Sequence, residues 1–291
     1  MTPLRIAVVQ VAHGDDERVA ERVARVAATV RGLGGHDLVV LPELWPVGGF
    51  DYRRWAEQAE AADGPIAATM AQAARDAGVV LHAGSIVERG PAPGPEGKWL
   101  WNTSMVFGPD GSELARYRKI HRFGFATGEP ELMEAGDEVV VFDLPVGVSA
   151  GGAGAGAGAG AGVPVAATVR AGLSTCYDLR FPELYRRQLD LGAQVLLVPA
   201  AWPAARVGHW SLFARARAVE EQCLVIACNT AGTHCGVTMG GRSVVVLPTG
   251  DVVAGAGADD EEVLSVEVDL EVIERTRAVF PVLADRRLRM P

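Results

Sequence analysis

The sequence predicts an α/β protein whose β-sheets are covered by helices. Short apolar runs that are typical of buried strands alternate with segments whose apolar residues recur at helical spacing. The alternation continues through both halves of the chain, and this favours helices packed on the faces of sheets. Hydrophobic residues make up 49% of the 291 residues, which is enough for a sizeable core. No segment has the composition of a domain linker, so we expect a single domain over residues 1–291.

The first half of the chain begins with a strand at residues 6–10, a helix at residues 15–31 and a strand at residues 38–41. Four valines in this helix are spaced to form one buried face. A second helix, at residues 65–77, opens with proline and closes at a glycine, as the preferences at helix ends predict. Further strands are predicted at residues 79–87, 101–107, 112–118, 139–144 and 165–175.

The second half repeats this pattern around helices at residues 181–191 and 209–221, and a last helix begins near Asp269. The strands predicted in this half are residues 195–198, 223–229, 243–247, 252–256 and 263–268. The chain ends in a tail at about residues 270–291. A charged cluster at residues 285–287 follows an apolar segment of this tail, which suits docking onto a partner subunit.

One uncharged stretch is long enough to span a bilayer but does not have the composition of a membrane helix. No residue between Leu144 and Val169 is charged, and residues 149–163 consist mainly of glycine and alanine. Glycine destabilises helices and strands and carries no apolar side chain. We therefore predict a flexible surface connection at residues 149–163 and no membrane span.

The bulk properties exclude several classes of partner. A formal net charge of −9 argues against nucleic acid and anionic membranes, because phosphate groups require a basic surface.

Four cysteines fit a reducing compartment better than a disulfide framework, and the N-terminus lacks a signal-peptide pattern, so we expect a cytoplasmic protein. Cys223 and Cys228 lie on opposite faces of one predicted strand, so they cannot readily bind the same metal ion. Cys235 and His234 are the remaining candidates for metal binding. We expect no metal and no cofactor.

Three polar residues stand where predicted strands end. Cys176 follows an apolar run and precedes a helix that starts near Pro182, so its thiol lies beside backbone N–H groups that favour a thiolate. Glu43 follows the strand at residues 38–41, and Lys119 ends the strand at residues 112–118. Taken alone, Cys176 could be a buried structural cysteine, and Glu43 and Lys119 could be solvated surface charges. Together they supply a nucleophile, a proton acceptor and a cation.

The motifs around these residues resemble the three signatures of the nitrilase superfamily of carbon–nitrogen hydrolases. They are Leu-Pro-Glu-Leu at residues 41–44, Tyr-Arg-Lys-Ile-His at residues 117–121 and Cys-Tyr-Asp-Leu-Arg-Phe-Pro-Glu at residues 176–183. The resemblance extends over essentially the whole chain. It implies a four-layer α-β-β-α sandwich that commonly associates across a helical face, so we expect a homodimer or a higher homo-oligomer.

The resemblance also implies a catalytic triad of Glu43, Lys119 and Cys176. Cys176 attacks the amide carbonyl and forms a thioester, while Glu43 transfers the proton and later activates water. Lys119 and the backbone N–H of Tyr177 hold the oxyanion. Glu129 aligns with a second glutamate that the family places in the pocket, and Glu131 and Glu134 are rival candidates in the same acid-rich loop.

Substrate selection is expected from the segment at residues 200–210. Trp202 offers an apolar wall, and Arg206 either binds a substrate carboxylate or forms a surface ion pair. His209 and Trp210 are interpreted as packing residues, Arg180 and Glu183 as support for the nucleophile turn. Internal ion pairs or an interface are expected on the helix at residues 209–221, from Arg215, Arg217, Glu220 and Glu221.

The motifs together are most similar to the ω-amidase branch, which acts on 2-oxoglutaramate and related monoamides of dicarboxylic acids and releases ammonia. The sequence therefore predicts hydrolysis of a small-molecule amide. The same triad also serves nitriles, N-carbamoyl groups and deaminated peptide amides. A catalytically silent binding protein that retains the fold is the alternative from another class.

Overall fold

The computed structural model describes residues 3–125, 127–147 and 167–288, and this part of the chain contains two six-stranded β-sheets. In chain order the strands are β1 (Leu4–Gln10), β2 (Leu38–Val40), β3 (Val80–Arg89), β4 (Leu100–Phe107), β5 (Glu113–Arg118), β6 (Val141–Val146), β7 (Ala167–Leu173), β8 (Val195–Ala200), β9 (Leu224–Asn229), β10 (Thr233–His234), β11 (Val237–Thr238), β12 (Val244–Val246), β13 (Val252–Gly255) and β14 (Glu262–Val268). The α-helices are α1 (Val19–Arg31), α2 (Trp55–Gln58), α3 (Pro65–Ala77), α4 (Glu129–Leu132), α5 (Pro182–Asp190), α6 (Val207–Glu221) and α7 (Glu271–Val279).

The two sheets share one plan, with three parallel strands at the centre and antiparallel strands at the edges. The first sheet has the order β14-β1-β2-β3-β4-β5, in which β1, β2 and β3 are parallel and β4 runs opposite to β3 and β5. The second has the order β13-β12-β9-β8-β7-β6, in which β7, β8 and β9 are parallel. The carboxyl ends of β2 and β5 therefore lie at the same edge as the amino end of β4.

The side chains of β1 show how the layers form. Leu4, Ile6 and Val8 point into an apolar layer between the two sheets, whereas Ala7 and Val9 face the opposite side, where α1 and α3 pack. Helices α5 and α6 cover the outer face of the second sheet in the same way. The result is a four-layer α-β-β-α sandwich, which confirms the predicted fold class.

Most element boundaries match the prediction to within two residues, and α3 matches it at both ends. Helix α1 is an exception, because it begins at Val19 and not at residue 15. Arg18 has an extended backbone and its N–H donates to the carboxylate of Glu21, an arrangement that caps the helix at this point. The short helices α2 and α4 and the hairpin of β10 and β11 were not predicted, since elements of two to four residues have no periodicity to detect.

The glycine- and alanine-rich connection predicted at residues 149–163 lies outside the described residues. Within the described part of the chain, no helix is long and apolar enough to cross a membrane. In the C-terminal tail, α7 occupies Glu271–Val279, and the side chains of Val279 and Phe280 are exposed.

Candidate active site

A bulge in β3 shapes the turn that carries Glu43. The pairing of β3 with β4 shifts register just before Ser85, and Gly84 there has a φ of +69°. A Cβ atom at Gly84 would lie 1.9 Å from the carbonyl oxygen of Pro42, so only glycine lets the turn approach β3 this closely. The hydroxyl of Ser85 accepts a hydrogen bond of 3.0 Å from the backbone N–H of Leu44. The local structure of β3 therefore fixes the turn that presents Glu43.

Lys119 follows the carboxyl end of β5, and only 2% of its side chain is exposed. Its Nζ atom donates to Oε1 of Glu43 at 2.7 Å and to Oε2 of Glu129 at 2.8 Å. Burial opposes the charge of the ammonium, but the two carboxylates more than offset it, so the pKa of Lys119 lies well above its usual value. Lys119 is therefore a fixed positive charge.

Glu43 connects the two sheets. Its Oε1 atom pairs with Lys119 of the first sheet, while its Oε2 atom accepts the backbone N–H of Ala201 at 2.8 Å. The backbone N–H of Glu43 also donates to the carbonyl of Ala200, the last residue of β8, at 3.3 Å. This carboxylate is buried at the junction between the sheets, with both oxygens bonded.

Of the three acidic candidates in the following loop, Glu129 is the one that reaches Lys119. It is the first residue of α4 and is buried. Burial raises the pKa of Glu129 above its usual value, although the ammonium of Lys119 opposes the shift. Glu131 is exposed, and Glu134 turns away to accept two backbone N–H groups at residues 96 and 98.

Cys176 begins a 3₁₀ turn, Cys176–Arg180, directly after β7. Its φ of +49° is unusual for a residue with a side chain, and it marks the sharp turn that the sequence predicted. Burial raises the pKa of the Cys176 thiol well above its usual value, and Glu43 adds to the shift while Lys119 opposes it. This shift favours the protonated form of a thiol that lies beside the Glu43 carboxylate.

Asp178 ties this turn to the end of β5. Its Oδ2 atom accepts hydrogen bonds from the backbone N–H of Thr175 at 2.8 Å and from the hydroxyl of Tyr117 at 2.7 Å. Its Oδ1 atom accepts the backbone N–H of His121 at 2.9 Å. Because Tyr117 and His121 flank Lys119, this buried carboxylate fixes the thiol-bearing turn relative to the ammonium.

These groups open onto a cleft of about 400 Å³, a volume that includes open solvent. Aromatic rings form much of its wall. The lining residues are Glu43, Gly49, Phe50, Tyr52, Trp55, Lys119, Phe123, Glu129, Cys176, Tyr177, Arg180, Ala201, Trp202, Pro203 and Arg206. The structure thus brings all seven predicted site residues to one cleft, with Glu129 and not Glu131 or Glu134 beside the lysine.

Two guanidinium groups enter this cleft. That of Arg206 lies over the ring of Phe123 at 5.3 Å, and that of Arg180 lies over the ring of Trp202 at 4.7 Å. Among the described residues, no carboxylate lies within 4.0 Å of either guanidinium group. The surface ion pair considered for Arg206 is absent from this part of the chain. The guanidinium of Arg180 also lies over the ring of Tyr177 in the nucleophile turn, at 6.0 Å, so the predicted supporting role of Arg180 stays a prediction while its side chain lines the cleft.

The remaining predictions for this region are partly confirmed. Trp210 is fully buried, as expected of a packing residue, whereas His209 is exposed and lies beside Arg180. Internal ion pairs are present on α6, where Arg217 bonds Glu220 at 2.6 Å. Glu221 forms an ion pair with Arg186, which lies on α5. Arg215 forms no ion pair among the described residues and donates to the carbonyl of Gly250.

Two residues at the site were missed by sequence reasoning. Asn102, near the amino end of β4, donates to both Glu43 and Glu129, and Asp178 holds the nucleophile turn. The available signal for Asn102 was its position in a strand predicted to be buried, where a polar side chain requires hydrogen-bond partners. Within the described residues, no group of three or more His, Cys, Asp or Glu side chains could hold a metal ion.

Comparison with known proteins identifies the family. The family model for carbon–nitrogen hydrolases matches residues 5–278. The chain is 40% identical to a 2-oxoglutaramate amidase of Paenarthrobacter nicotinovorans, over 98% of this chain and 90% of that protein. It is 31% identical to the human ω-amidase NIT2, over 99% of this chain and 96% of that protein.

A solved structure supports the same assignment. A carbon–nitrogen hydrolase superfamily protein from Xanthomonas campestris superimposes with a TM-score of 0.81, at 27% identity and with full coverage of both chains. The chain belongs to the carbon–nitrogen hydrolase family and is therefore a hydrolase that acts on carbon–nitrogen bonds.

Replacing Gly84 with alanine tests the close approach of β3 to the Glu43 turn. We expect Gly84→Ala to lower the melting temperature markedly and to reduce activity at least tenfold, because the new Cβ would displace the carbonyl of Pro42. Gly78→Ala is the matched control. Gly78 has nearly the same φ, +66° against +69°, but its Cβ would meet nothing within 4 Å. Equal losses for the two variants by thermal denaturation and by activity assay would contradict a specific steric role.

Proposed function

We propose that this hydrolase releases ammonia from the monoamide of a small dicarboxylic acid, with 2-oxoglutaramate as the leading candidate, through a thioester on Cys176. The observation that carries the proposal is the pair of guanidinium groups without carboxylate partners, Arg180 and Arg206, in the cleft that contains the thiol. A substrate carboxylate supplies the missing partner. The 2-oxoglutaramate amidase and ω-amidase names of the relatives point to the same substrate class.

In the first half of the proposed reaction, the sulfur of Cys176 attacks the amide carbonyl carbon while its proton passes to Glu43. Proton transfer must accompany attack, because burial keeps the thiol protonated at rest. The carbonyl oxygen becomes an oxyanion that the ammonium of Lys119 and the backbone N–H of Tyr177 stabilise. The carbon–nitrogen bond then breaks, Glu43 gives its proton to the nitrogen, and ammonia leaves a thioester behind.

In the second half, Glu43 takes a proton from a water molecule that attacks the thioester. The carbon–sulfur bond breaks, the sulfur regains a proton from Glu43, and the carboxylate product leaves. The geometry that supports this double role is the placement of Glu43, whose Oε1 and Oε2 atoms are held by Lys119 and by the backbone N–H of Ala201. Glu129 supports the same arrangement by binding the other side of the ammonium.

We also propose a homodimer formed across the outer helical face of the second sheet. Leu212 and Val219 lie seven residues apart on α6, and therefore on one side of it, with 62% and 48% of each residue exposed. Val252 on β13 is 51% exposed, and Gly250 beside it lies against Val219. Pairing this face with its copy would remove the apolar side chains from water.

A cytoplasmic location is part of the proposal. All four cysteines are free thiols, and three of them are buried. A chain with free thiols suits a reducing compartment.

The substrate and the nucleophile are tested together by ammonia release from 2-oxoglutaramate, succinamate, an N-carbamoyl amino acid and a simple nitrile. We expect wild-type turnover of the first two and a loss of at least 10³-fold in Cys176→Ala, because no other group in the cleft replaces the sulfur. Turnover of the nitrile or the N-carbamoyl compound alone would retain the triad and reject the substrate. Full turnover by Cys176→Ala would reject the mechanism.

The role of the two arginines is tested with Arg180→Met and Arg206→Met. Each change removes a charged hydrogen bond worth about 1.5–3 kcal/mol, so we expect a loss of roughly 10–100-fold in kcat/KM for succinamate. Propionamide, which has no carboxylate, should be hydrolysed equally by the variants and the wild type. Arg31→Met on α1, which breaks only a surface pair with Asp76, is the control. Equal losses on both substrates would argue against carboxylate binding.

The proposed interface is tested with Leu212→Glu. A charge within the apolar face should shift the protein from dimer to monomer in sedimentation velocity at micromolar concentration. The control is Val263→Glu on β14 of the first sheet, where the valine is 39% exposed. This variant carries the same added charge and should leave the dimer intact. A wild-type monomer, or dissociation by both variants, would contradict the proposed face.

A further inference from the structure

Asn102 occupies the centre of the buried charge cluster. Its Nδ2 atom donates to Oε1 of Glu43 at 2.8 Å and to Oε1 of Glu129 at 2.6 Å. The same two oxygens accept from Nζ of Lys119, at 2.7 and 3.0 Å. One amide group and one ammonium group therefore share the same pair of carboxylate oxygens.

The chemistry of the partners fixes the orientation of this amide. Ionised carboxylates only accept hydrogen bonds, so the NH₂ group of Asn102 and not its oxygen must face them. The Oδ1 atom is left buried without a hydrogen-bond partner among the described residues. An unpaired buried oxygen is costly, and a leucine, which has the same branched heavy-atom skeleton, would avoid that cost. The two hydrogen bonds that Asn102 donates to the carboxylates offset the cost of its unpaired oxygen.

The backbone of Asn102 is also part of the cluster. Its carbonyl oxygen accepts the backbone N–H of Lys119 at 2.9 Å, which extends the pairing of β4 with β5 to the lysine. The position of the ammonium and the positions of both carboxylates thus depend on one residue of β4.

The charges explain why such a residue is required. The cluster contains two carboxylates and one ammonium, and like charges this close favour uptake of a proton by the pair. Burial already raises the pKa of Glu129. Hydrogen bonds donated to the charged form of a carboxylate oppose protonation, and Asn102 donates one to each. The amide supplies this stabilisation without adding a second positive charge.

We propose that Asn102 is a positioning residue that holds Glu43 and Glu129 against Lys119, with Glu43 oriented to accept the proton of Cys176. The inference rests on the proposed function, in which Glu43 acts as the base. Asn102 does not line the cleft, so its effect on the reaction is exerted through the two carboxylates.

The test uses Asn102→Leu, which keeps the branched heavy-atom skeleton and removes both donated hydrogen bonds, and Asn102→Ser, which is smaller and keeps one hydroxyl. Two pH profiles are measured for each: kcat/KM for succinamate, and the rate at which iodoacetamide alkylates Cys176. The alkylation is followed by mass spectrometry of the Cys176 peptide in a Cys235→Ser background, since Cys235 is exposed. Alkylation requires the same sulfur to lose its proton but needs no amide substrate.

For Asn102→Leu we expect the acid limb of both profiles to move to higher pH by about one unit or more, because each carboxylate loses a donor to its charged form. The value of kcat should fall roughly 10–100-fold with little change in KM. Asn102→Ser should lie between this variant and the wild type. If Asn102→Leu does not fold, the smaller Asn102→Ser provides the same comparison.

Thr103→Val is the matched control, because Thr103 is the next residue of β4 and donates its hydroxyl to the buried carboxylate of Glu88 outside the cleft. It should leave both acid limbs in place. If the Asn102 variants are less active but their acid limbs stay in place, Asn102 only supports the structure, and the proposal is overturned. A shifted alkylation limb in a protein that hydrolyses no amide in the panel would reject the proposed substrate while supporting Asn102.

Discussion

The structure depends on one buried ion cluster at the junction of its two sheets. Lys119 directly follows β5 of the first sheet, and Glu43 binds both this lysine and a backbone N–H that follows β8 of the second. Taking these charges out of water is expensive, so each must keep its partners. Removing one partner of a buried pair typically costs about 3–5 kcal/mol, because the other is left uncompensated. The cluster therefore constrains how the two halves of the sandwich meet.

Backbone strain is concentrated where this cluster is built. Leu44 and Cys176, on either side of the site, have φ values of +43° and +49°, and Gly84 supports the first of these turns from β3. Residues with side chains occupy this region of conformational space only when the surrounding contacts compel them. Here the contacts are the bulge of β3 beneath Glu43 and the carboxylate of Asp178 beneath the cysteine. The strained turns are what point a carboxylate and a thiol at each other.

Much of the molecule could be predicted because its signals are periodic or lie at strand ends. The alternation of apolar runs with helical patterns predicted sheets covered by helices, and the family resemblance of the motifs around Glu43, Lys119 and Cys176 implied the four layers and the cluster. Asn102 could not be predicted in the same way, since it is one of three consecutive polar residues in β4 and its partners are distant in sequence. The position of Arg180 depends on the 3₁₀ turn after the cysteine, whose geometry spacing does not reveal.

The balance of charge in the cluster explains why a protonated thiol is suited to the proposed reaction. A thiolate formed at rest would add a second net negative charge to a buried group that already holds two carboxylates and one ammonium. When proton transfer to Glu43 accompanies attack, the carboxylate loses its charge as the substrate oxygen gains one. The net charge of the site therefore stays constant, because one negative charge passes from Glu43 to the substrate oxygen. In the proposed reaction no additional charge accumulates in the buried cluster, and the ammonium of Lys119 is in place before the oxyanion forms.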